Sequence, residues 1–308
     1  MHQNIRTEAG HVDSAGQRPL KTWASRVSGF VSKNKGIPTR KLFWNIVFLF
    51  LIIRVSKIFS PSSVKKKDGF VFVACHHKVM TTYFHAVLRI LSAGLNLKFQ
   101  KINFEQPPQG TDLLLSMQSA FDPKQFGDCR GIHLIRDPRD MIVSGYHYHK
   151  WTHEPWVHRK DENGRSYQEK LNACSKHDGL FMEIDHFIYI YGDILRKWDI
   201  GDPNVLEVQY EQLMGSERRV LYEEMFRHLG FANRELTFAC RLMELFESES
   251  RTGRKTGDEA AKSHIRSGRA GQWRSELGPE HRTYIEAELG DILRKFNYEQ
   301  DGSWVKDS

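Results

Sequence analysis

The stretch GFVFVACHHKVMTTYFHAVLRILSAG, residues 69–94, decides the fold class. Its first half is a short apolar run bounded by glycine and by charged residues, which is typical of a strand buried on both faces. Its second half spaces Phe84, Val87, Leu88 and Leu91 at helical intervals. A buried strand that leads directly into a helix predicts the first strand–helix unit of an α/β domain.

The same alternation continues along the rest of the chain. Strands are predicted at LNLKFQKI, TDLLLSM, GIHLIR and NVLEVQY, and helices at YQEKLNAC and GLFMEIDHFIYIYGDILRKW. Strands that alternate with helices imply a parallel sheet covered on both faces. We therefore predict an α/β fold with three layers, α/β/α, around a central parallel sheet, formed by residues 68–300 and followed by a tail at 301–308.

Composition separates a basic leader from the body of the chain. With 40% apolar residues the chain can bury a sizeable core, which excludes global disorder. Residues 1–67 hold 13 of the 45 lysines and arginines but 2 of the 38 acidic residues, so the rest of the chain is net negative. A nucleic-acid partner is therefore not expected. The four cysteines lie far apart without a CxxC pair, which favours neither a zinc site nor a disulfide framework.

The leader, residues 1–67, is predicted to be partly disordered and carries one apolar segment at 42–53. This segment has 12 residues, whereas crossing a bilayer takes about 20. Three interpretations stay open: a helix that lies on an anionic membrane surface through residues 40–67, a short single-pass anchor, and an extra helix packed on the domain. We favour the first, so the expected location is cytoplasmic or membrane-associated.

The junction CHHKVMTT lies between the predicted strand and helix of the first unit. Backbone N–H groups at a helix N-terminus favour an anion. Lys78 adds a positive charge there, and the hydroxyls of Thr81 and Thr82 add donors. The pattern GxxxxGK[ST] is absent, so the junction is not a Walker A loop, and by itself it is more often ordinary helix capping.

A second polar cluster follows the predicted strand GIHLIR. The strand ends at Arg136, and Asp137 and Pro138 begin a helix that carries Ser144. If this strand neighbours the first, Arg136 and Ser144 reach the crevice where open α/β sheets bind ligands. The alternative, in which Arg136 pairs with Asp140 and Ser144 faces solvent, stays open.

These two segments together resemble the sulfotransferases that use 3′-phosphoadenosine 5′-phosphosulfate (PAPS), and a third segment agrees. HIRSGRAGQWRSELGPEH is similar to that family's RKGxxGxW loop near the C-terminus. The resemblance covers roughly residues 69–298 and is closest to the cytosolic-type branch. It implies a nucleotide-kinase-like (P-loop-like) sulfotransferase fold, PAPS as co-substrate, no metal, and sulfuryl transfer to a hydroxyl or amine of a small-molecule or carbohydrate acceptor.

The resemblance also implies the donor-binding residues. These are Lys78, Val79, Met80, Thr81 and Thr82 around the 5′-phosphosulfate, Tyr83 and Tyr210 at adenine, Arg136 and Ser144 at the 3′-phosphate, and Arg266, Ser267 and Gly268 in a loop that closes over it. Two positions depart from the family pattern: Met80 replaces a glycine and Ser267 replaces a lysine. Without glycine, the backbone at residue 80 must manage φ > 0 or adopt a different turn.

The catalytic base is the part of the pattern that is missing. The cytosolic-type branch places a histidine on the strand that here reads LLLSMQSAF, which offers no base. By similarity to other branches we predict Glu105 as the base, with His149 and His153 as the next candidates, and Lys78 as the catalytic cation on the leaving group. The histidines of HYHKWTHEPWVH also suggest a metal site, but the sequence identifies no full ligand set.

Two other functions stay open at this point. One is a nucleotide kinase-like phosphotransferase on a similar fold. The other is a catalytically inactive, membrane-associated module that binds the nucleotide, an interpretation favoured by Met80 and by the missing histidine.

Overall fold

The computed structural model describes Val64 and residues 69–247 and 269–306. Within these residues, one sheet contains five strands in the order β2-β3-β1-β4-β5. They are β1 Val71–Ala74, β2 Phe99–Ile102, β3 Leu113–Ser116, β4 Arg130–Ile135 and β5 Val205–Gln209. All four neighbouring pairs run parallel, which confirms the predicted parallel sheet.

Helices flank this sheet, as predicted for the α/β class. They are α1 Thr81–Leu95, α2 Pro138–His149, α3 Tyr167–Ala173, α4 Lys176–Phe187, α5 Asp193–Lys197, α6 Tyr210–Leu213, α7 Arg218–His228, α8 Asn233–Phe246, α9 Trp273–Glu276 and α10 Pro279–Lys295. A π-helical turn, Ile188–Gly192, joins α4 to α5.

The order of the strands creates a crevice beside β1. After β1 the chain moves through α1 towards β2, whereas after β4 it moves in the opposite direction to β5. Right-handed crossovers then place the connecting helices on opposite faces of the sheet. The carboxyl ends of β1 and β4 therefore lie at the point where the strand order reverses, which is where sheets of this kind bind ligands.

The first turn of α1 shows how the chain manages without a glycine at residue 80. Met80 precedes the helix with φ 55° and ψ 18°, and Lys78 has φ 65°. Both residues therefore occupy the left-handed region themselves. For a residue with a Cβ atom, that backbone conformation costs roughly 1 kcal/mol of free energy or more.

This strain predicts an order of stability at residue 80. Met80→Gly and Met80→Ala both remove the side chain beyond Cβ, but only glycine, which has no Cβ, takes φ > 0 without steric cost. We expect the free energy of unfolding to be about 1 kcal/mol higher for the glycine variant than for the alanine variant, as measured by urea denaturation. Equal stabilities, or a more stable alanine variant, would contradict the strained turn.

The two ends of the described chain pack against the domain. Val64, in the predicted leader, is buried. Gly302–Lys306, within the stretch predicted as a tail, forms a 3-10 turn whose Trp304 is buried against Trp273. The apolar segment 42–53 lies outside the described residues, and among those that are described no helix is long and apolar enough to cross a membrane.

Candidate functional site

The candidate site lies at the carboxyl ends of β1 and β4, which pair directly in the sheet. The sequence predicts that Arg136 lies beside the loop after β1 only if these two strands are neighbours, and they are. The arginine follows β4 and reaches back across the crevice, where its Nη1 donates to the main-chain carbonyl of Lys78 at 3.4 Å. The first two predicted segments are thus joined by one guanidinium.

Lys78 lies in the loop between β1 and α1. Its ammonium Nζ lies 3.8 Å from the centre of the Tyr148 ring, and the Tyr148 hydroxyl donates to the Glu154 carboxylate at 2.9 Å. Burial, with a further contribution from the positive charge of Arg136, lowers the pKa of Lys78 to about 7, while Glu154 opposes the shift. At neutral pH the Lys78 side chain is therefore only partly protonated, and a bound anion would favour its charged form.

Arg136 connects three parts of the site. Its Nη2 donates to the main-chain carbonyl of Arg269 at 3.2 Å and lies 3.7 Å from the carboxylate of Asp140. Its guanidinium also lies 4.6 Å from the ring centre of Tyr210. Arg136 Nε is buried and has no hydrogen-bond partner among the described residues. A buried N–H without a partner costs free energy, so this donor is suited to an incoming anion.

Asp140 anchors the C-terminal loop to this arginine. Its carboxylate accepts hydrogen bonds from the backbone N–H groups of Gly271 at 2.7 Å and Trp273 at 3.0 Å. Arg136 therefore pairs with Asp140 and also occupies the crevice. The two interpretations of Arg136 that the sequence leaves open are thus compatible. The carboxylate brings the third predicted segment to the other two.

The other predicted donor-binding residues occupy the following places. Val79 is buried behind the loop, Thr81 and Thr82 begin α1, and Ser144 is partly buried on α2. Tyr83 is buried, and its hydroxyl donates to the Met243 carbonyl at 2.6 Å. Contact of Tyr83 with adenine stays a prediction. Arg266, Ser267 and Gly268 lie outside the described residues, which resume at Arg269.

The predicted base candidates have different surroundings. Glu105 is exposed in the loop after the edge strand β2, and its carboxylate accepts from the Asn103 N–H at 2.6 Å. These local backbone hydrogen bonds lower the pKa of Glu105. His153 is also exposed, whereas His149 is buried.

Sequence reasoning missed a chain of polar side chains that crosses the sheet. Nε2 of His76 lies 2.8 Å from Nε2 of His133, whose Nδ1 lies 2.6 Å from the Glu207 carboxylate. Trp198 donates to the same carboxylate at 2.8 Å. Burial, and next His133, lower the pKa of His76 well below its usual value. This chain links the loop after β1 to β4 and β5.

Sequence reasoning also missed a second chain of polar side chains, which runs from the loop after β1 to α2 and α4. Nε2 of His77 lies 3.3 Å from Nε2 of His149, and Nδ1 of His149 lies 2.7 Å from a Glu183 carboxylate oxygen. Tyr167 donates its hydroxyl to the same oxygen at 2.6 Å. The only local signal for either chain in the sequence is the His76-His77 pair in the loop after β1.

The histidines of HYHKWTHEPWVH, residues 147–158, lie in the part of the chain that the structure describes. No group of three or more His, Cys, Asp or Glu side chains there is placed to hold a metal ion.

Comparisons with known proteins agree on one family. A sequence model of the sulfotransferase domain matches residues 48–296. Cytosolic sulfotransferase 8 of Arabidopsis thaliana is 24% identical over 237 residues, which cover 71% of this chain and 67% of that protein.

Two solved structures are also similar to this chain. Mouse sulfotransferase SULT7A1 complexed with PAP has a TM-score of 0.48 and 15% identity, over 80% of this chain and 91% of that one. Retinol dehydratase in complex with androsterone and the inactive cofactor PAP has a TM-score of 0.43 and 18% identity, over 73% of this chain and 80% of that one.

Proposed function

The chain belongs to the sulfotransferase domain family, and from this premise we propose that it transfers the sulfuryl group of PAPS to a hydroxyl or amine of a small-molecule or carbohydrate acceptor. It is an enzyme of the transferase class. The donor carries a 5′-phosphosulfate and a 3′-phosphate, so its site needs cations and N–H donors from more than one segment.

One observation carries the proposal for this chain. Arg136 joins the Lys78 loop to the C-terminal loop, and its buried Nε has no hydrogen-bond partner within the described part of the chain. A rigid guanidinium with an available donor suits the oxygens of a phosphate. In the proposed assignment Arg136, with Ser144, holds the 3′-phosphate, and Lys78 faces the 5′ side.

Lys78 has the catalytic role in this assignment. Sulfuryl transfer is an in-line displacement in which an acceptor oxygen or nitrogen attacks sulfur while the bond to the nucleotide phosphate breaks. Negative charge grows on the leaving oxygen, and an ammonium group next to it stabilises the transition state. Glu105, His149 and His153 stay predictions as the base that accepts the acceptor's proton.

The donor assignment is tested by thermal shift with the desulfated nucleotide PAP and, separately, with ATP and Mg²⁺. We expect PAP to raise the melting temperature, because a ligand that binds only the folded state stabilises it. A shift with ATP and Mg²⁺ alone would favour the kinase-like alternative. A shift with PAP but no turnover of PAPS across a broad acceptor panel would favour the inactive binding module.

The lowered pKa of Lys78 predicts that PAP binding takes up a proton above pH 7. Without ligand the side chain is increasingly neutral as the pH rises through its pKa of about 7, and the bound phosphates favour the charged form. Affinity should therefore fall as the pH rises above that value, with a slope of at most about tenfold per unit, and the total fall should be small beside the loss of turnover expected on removing Lys78.

Calorimetry in buffers with different ionisation enthalpies measures this proton uptake. The matched variant is Lys78→Arg, because a guanidinium stays protonated at every pH used. We expect the arginine variant to bind PAP without that uptake. The same uptake in both proteins would assign the proton to another group.

Binding of residues 40–67 to a membrane surface stays a prediction. It is tested by sedimentation of the full chain with vesicles that contain anionic lipid, with neutral vesicles as the comparison.

A further inference from the structure

We propose that Tyr148 is the positioning residue of Lys78: the face of its ring holds the Lys78 ammonium at the crevice, and its hydroxyl occupies the Glu154 carboxylate that would otherwise pair with that ammonium. The inference rests on the proposed sulfotransferase function. It deepens that function by assigning the groups that keep the catalytic cation available to the donor.

The ring of Tyr148 contacts the Lys78 ammonium from one side. Nζ of Lys78 lies 3.8 Å from the ring centre, within the range of a cation–π contact. The face of an aromatic ring attracts a cation but, unlike a carboxylate, it carries no formal charge. The N–H groups of the ammonium that point away from the ring can therefore still donate to the leaving oxygen of the sulfuryl donor.

Helix α2 directs Tyr148 towards the same crevice as the donor-binding residues. Ser144 and Tyr148 are four residues apart on this helix, so they lie on one face. Arg136 precedes the first residue of the helix by two positions. One helix thus carries the groups assigned to the 3′-phosphate and the ring that contacts Lys78.

The Tyr148 ring is fixed by its neighbours. Tyr148 is 6% exposed, and its ring centre lies 5.4 Å from that of His77 and 5.2 Å from that of Trp151. His77 precedes Lys78 in the chain, whereas Trp151 follows the end of α2. A ring that is packed between these two segments can determine where the flexible Lys78 side chain ends.

Glu154 acts on Lys78 without pairing with it. The charge of Glu154 opposes the lowering of the Lys78 pKa, yet within the described part of the chain the two side chains form no ion pair. Both Glu154 oxygens accept hydrogen bonds from uncharged groups instead. Oε1 accepts from the Tyr148 hydroxyl and Oε2 from the indole N–H of Trp156, each at 2.9 Å.

A direct pair between Lys78 and Glu154 would oppose sulfuryl transfer. The carboxylate would compete with the leaving oxygen for the ammonium, and its charge would repel the anionic donor. Burial raises the pKa of Tyr148 to about 12, so at neutral pH the hydroxyl keeps its proton and stays a donor to Glu154. The hydroxyl thus keeps the ammonium available for the reaction.

The first test separates the hydroxyl of Tyr148 from its ring. Tyr148→Phe keeps the ring and removes the donor to Glu154, so Glu154 should pair with Lys78. We expect turnover with PAPS and saturating 2-naphthol to fall about tenfold, with little change in PAP affinity by calorimetry. The double variant Tyr148→Phe/Glu154→Gln should recover most of that turnover, because the amide carries no charge. A merely structural role of Tyr148 would give no such recovery.

The pH profile gives a second readout of the same pair. The titratable groups beside Lys78 come from the loop after β1, from α2 and from the turns at its two ends: His77, Tyr148, Arg136 and Glu154. A pair with Glu154 favours the ammonium, so the alkaline fall of kcat/KM for PAPS should move to higher pH in Tyr148→Phe. It should return towards that of the unchanged chain in the double variant.

The ring is tested with the carboxylate already neutralised. Tyr148→Leu/Glu154→Gln and Tyr148→Phe/Glu154→Gln differ only in the aromatic face beside Lys78. We expect the leucine variant to turn over about 2- to 30-fold more slowly, which corresponds to the usual strength of a cation–π contact. The two double variants should bind PAP with similar affinity.

Tyr284→Phe, on α10, is the matched control, because its hydroxyl also donates to a carboxylate, that of Asp185, at 2.8 Å. It should leave turnover near that of the unchanged chain. The inference would be overturned if Glu154→Gln did not restore the turnover of Tyr148→Phe, if the two double variants turned over equally, or if PAP affinity fell as much as turnover. Absence of PAP binding by the unchanged chain would instead overturn the proposed function.

Discussion

Lys78→Ala is expected to lower turnover by about 10²- to 10³-fold, the usual cost of removing one preorganised group that stabilises developing charge. Its effect on PAP binding should be much smaller. The reason is that the negative charge on the leaving oxygen is largest in the transition state, and Lys78 is the cation assigned to that side. Steady-state kinetics with PAPS and 4-nitrophenol, and calorimetry with PAP, measure the two effects separately.

The matched variant is Arg136→Ala, for which the balance should be reversed. Arg136 is assigned to the 3′-phosphate, which does not change during the reaction, so its loss should mainly weaken PAP binding. It also contacts the carbonyls of Lys78 and Arg269, so the unliganded fold is checked by thermal unfolding. Equal effects of both variants on turnover and binding would contradict the assigned roles.

Arg139→Ala is expected to cost about 3–5 kcal/mol of unfolding free energy. Arg139 is 1% exposed and pairs with Asp137 at 2.8 Å and Glu299 at 2.5 Å. Its guanidinium also lies 3.8 Å from the ring centre of Trp273 and 4.5 Å from that of Trp304. Alanine would leave two carboxylates without their cation and a gap between two indole rings.

Urea denaturation measures this loss, and the same variant should unfold at a temperature about 10 °C lower. Arg227→Ala is the matched control, because Arg227 also pairs with a carboxylate, that of Glu223, but both groups are exposed. Such a pair contributes about 0.5 kcal/mol. Similar losses for the two arginines would show that the cluster around Arg139 does not stabilise the fold.

Much of the fold could be predicted from local patterns. The continuous apolar runs of β1 and β3 indicate strands buried on both faces, and both strands are fully buried. The periodic apolar residues after Thr81 predict α1, which ends at Leu95. These signals are readable because secondary structure depends on side chains that are close together along the chain.

Of the candidate site, the sequence predicts only the residues that follow the ends of strands. Lys78 lies in the loop after β1 and Arg136 directly follows β4, so their proximity depends mainly on the order of the strands. The sequence indicates Asp140 only as a partner of Arg136, yet its carboxylate also accepts hydrogen bonds from the backbone of Gly271 and Trp273. Nothing in the periodicity of α2 indicates those contacts, because they are made with a loop more than a hundred residues away.

The amino-acid sequence by itself thus determined the parallel α/β architecture, the family and the two cations at the ends of adjacent strands. Tertiary structure alone decided that His77, His149 and Glu183 form one chain, and that Arg139 lies between two tryptophans. The physical reason is that apolar periodicity records which face of an element is buried, whereas a hydrogen bond depends on side-chain direction. That direction is set by the packing of elements distant in sequence.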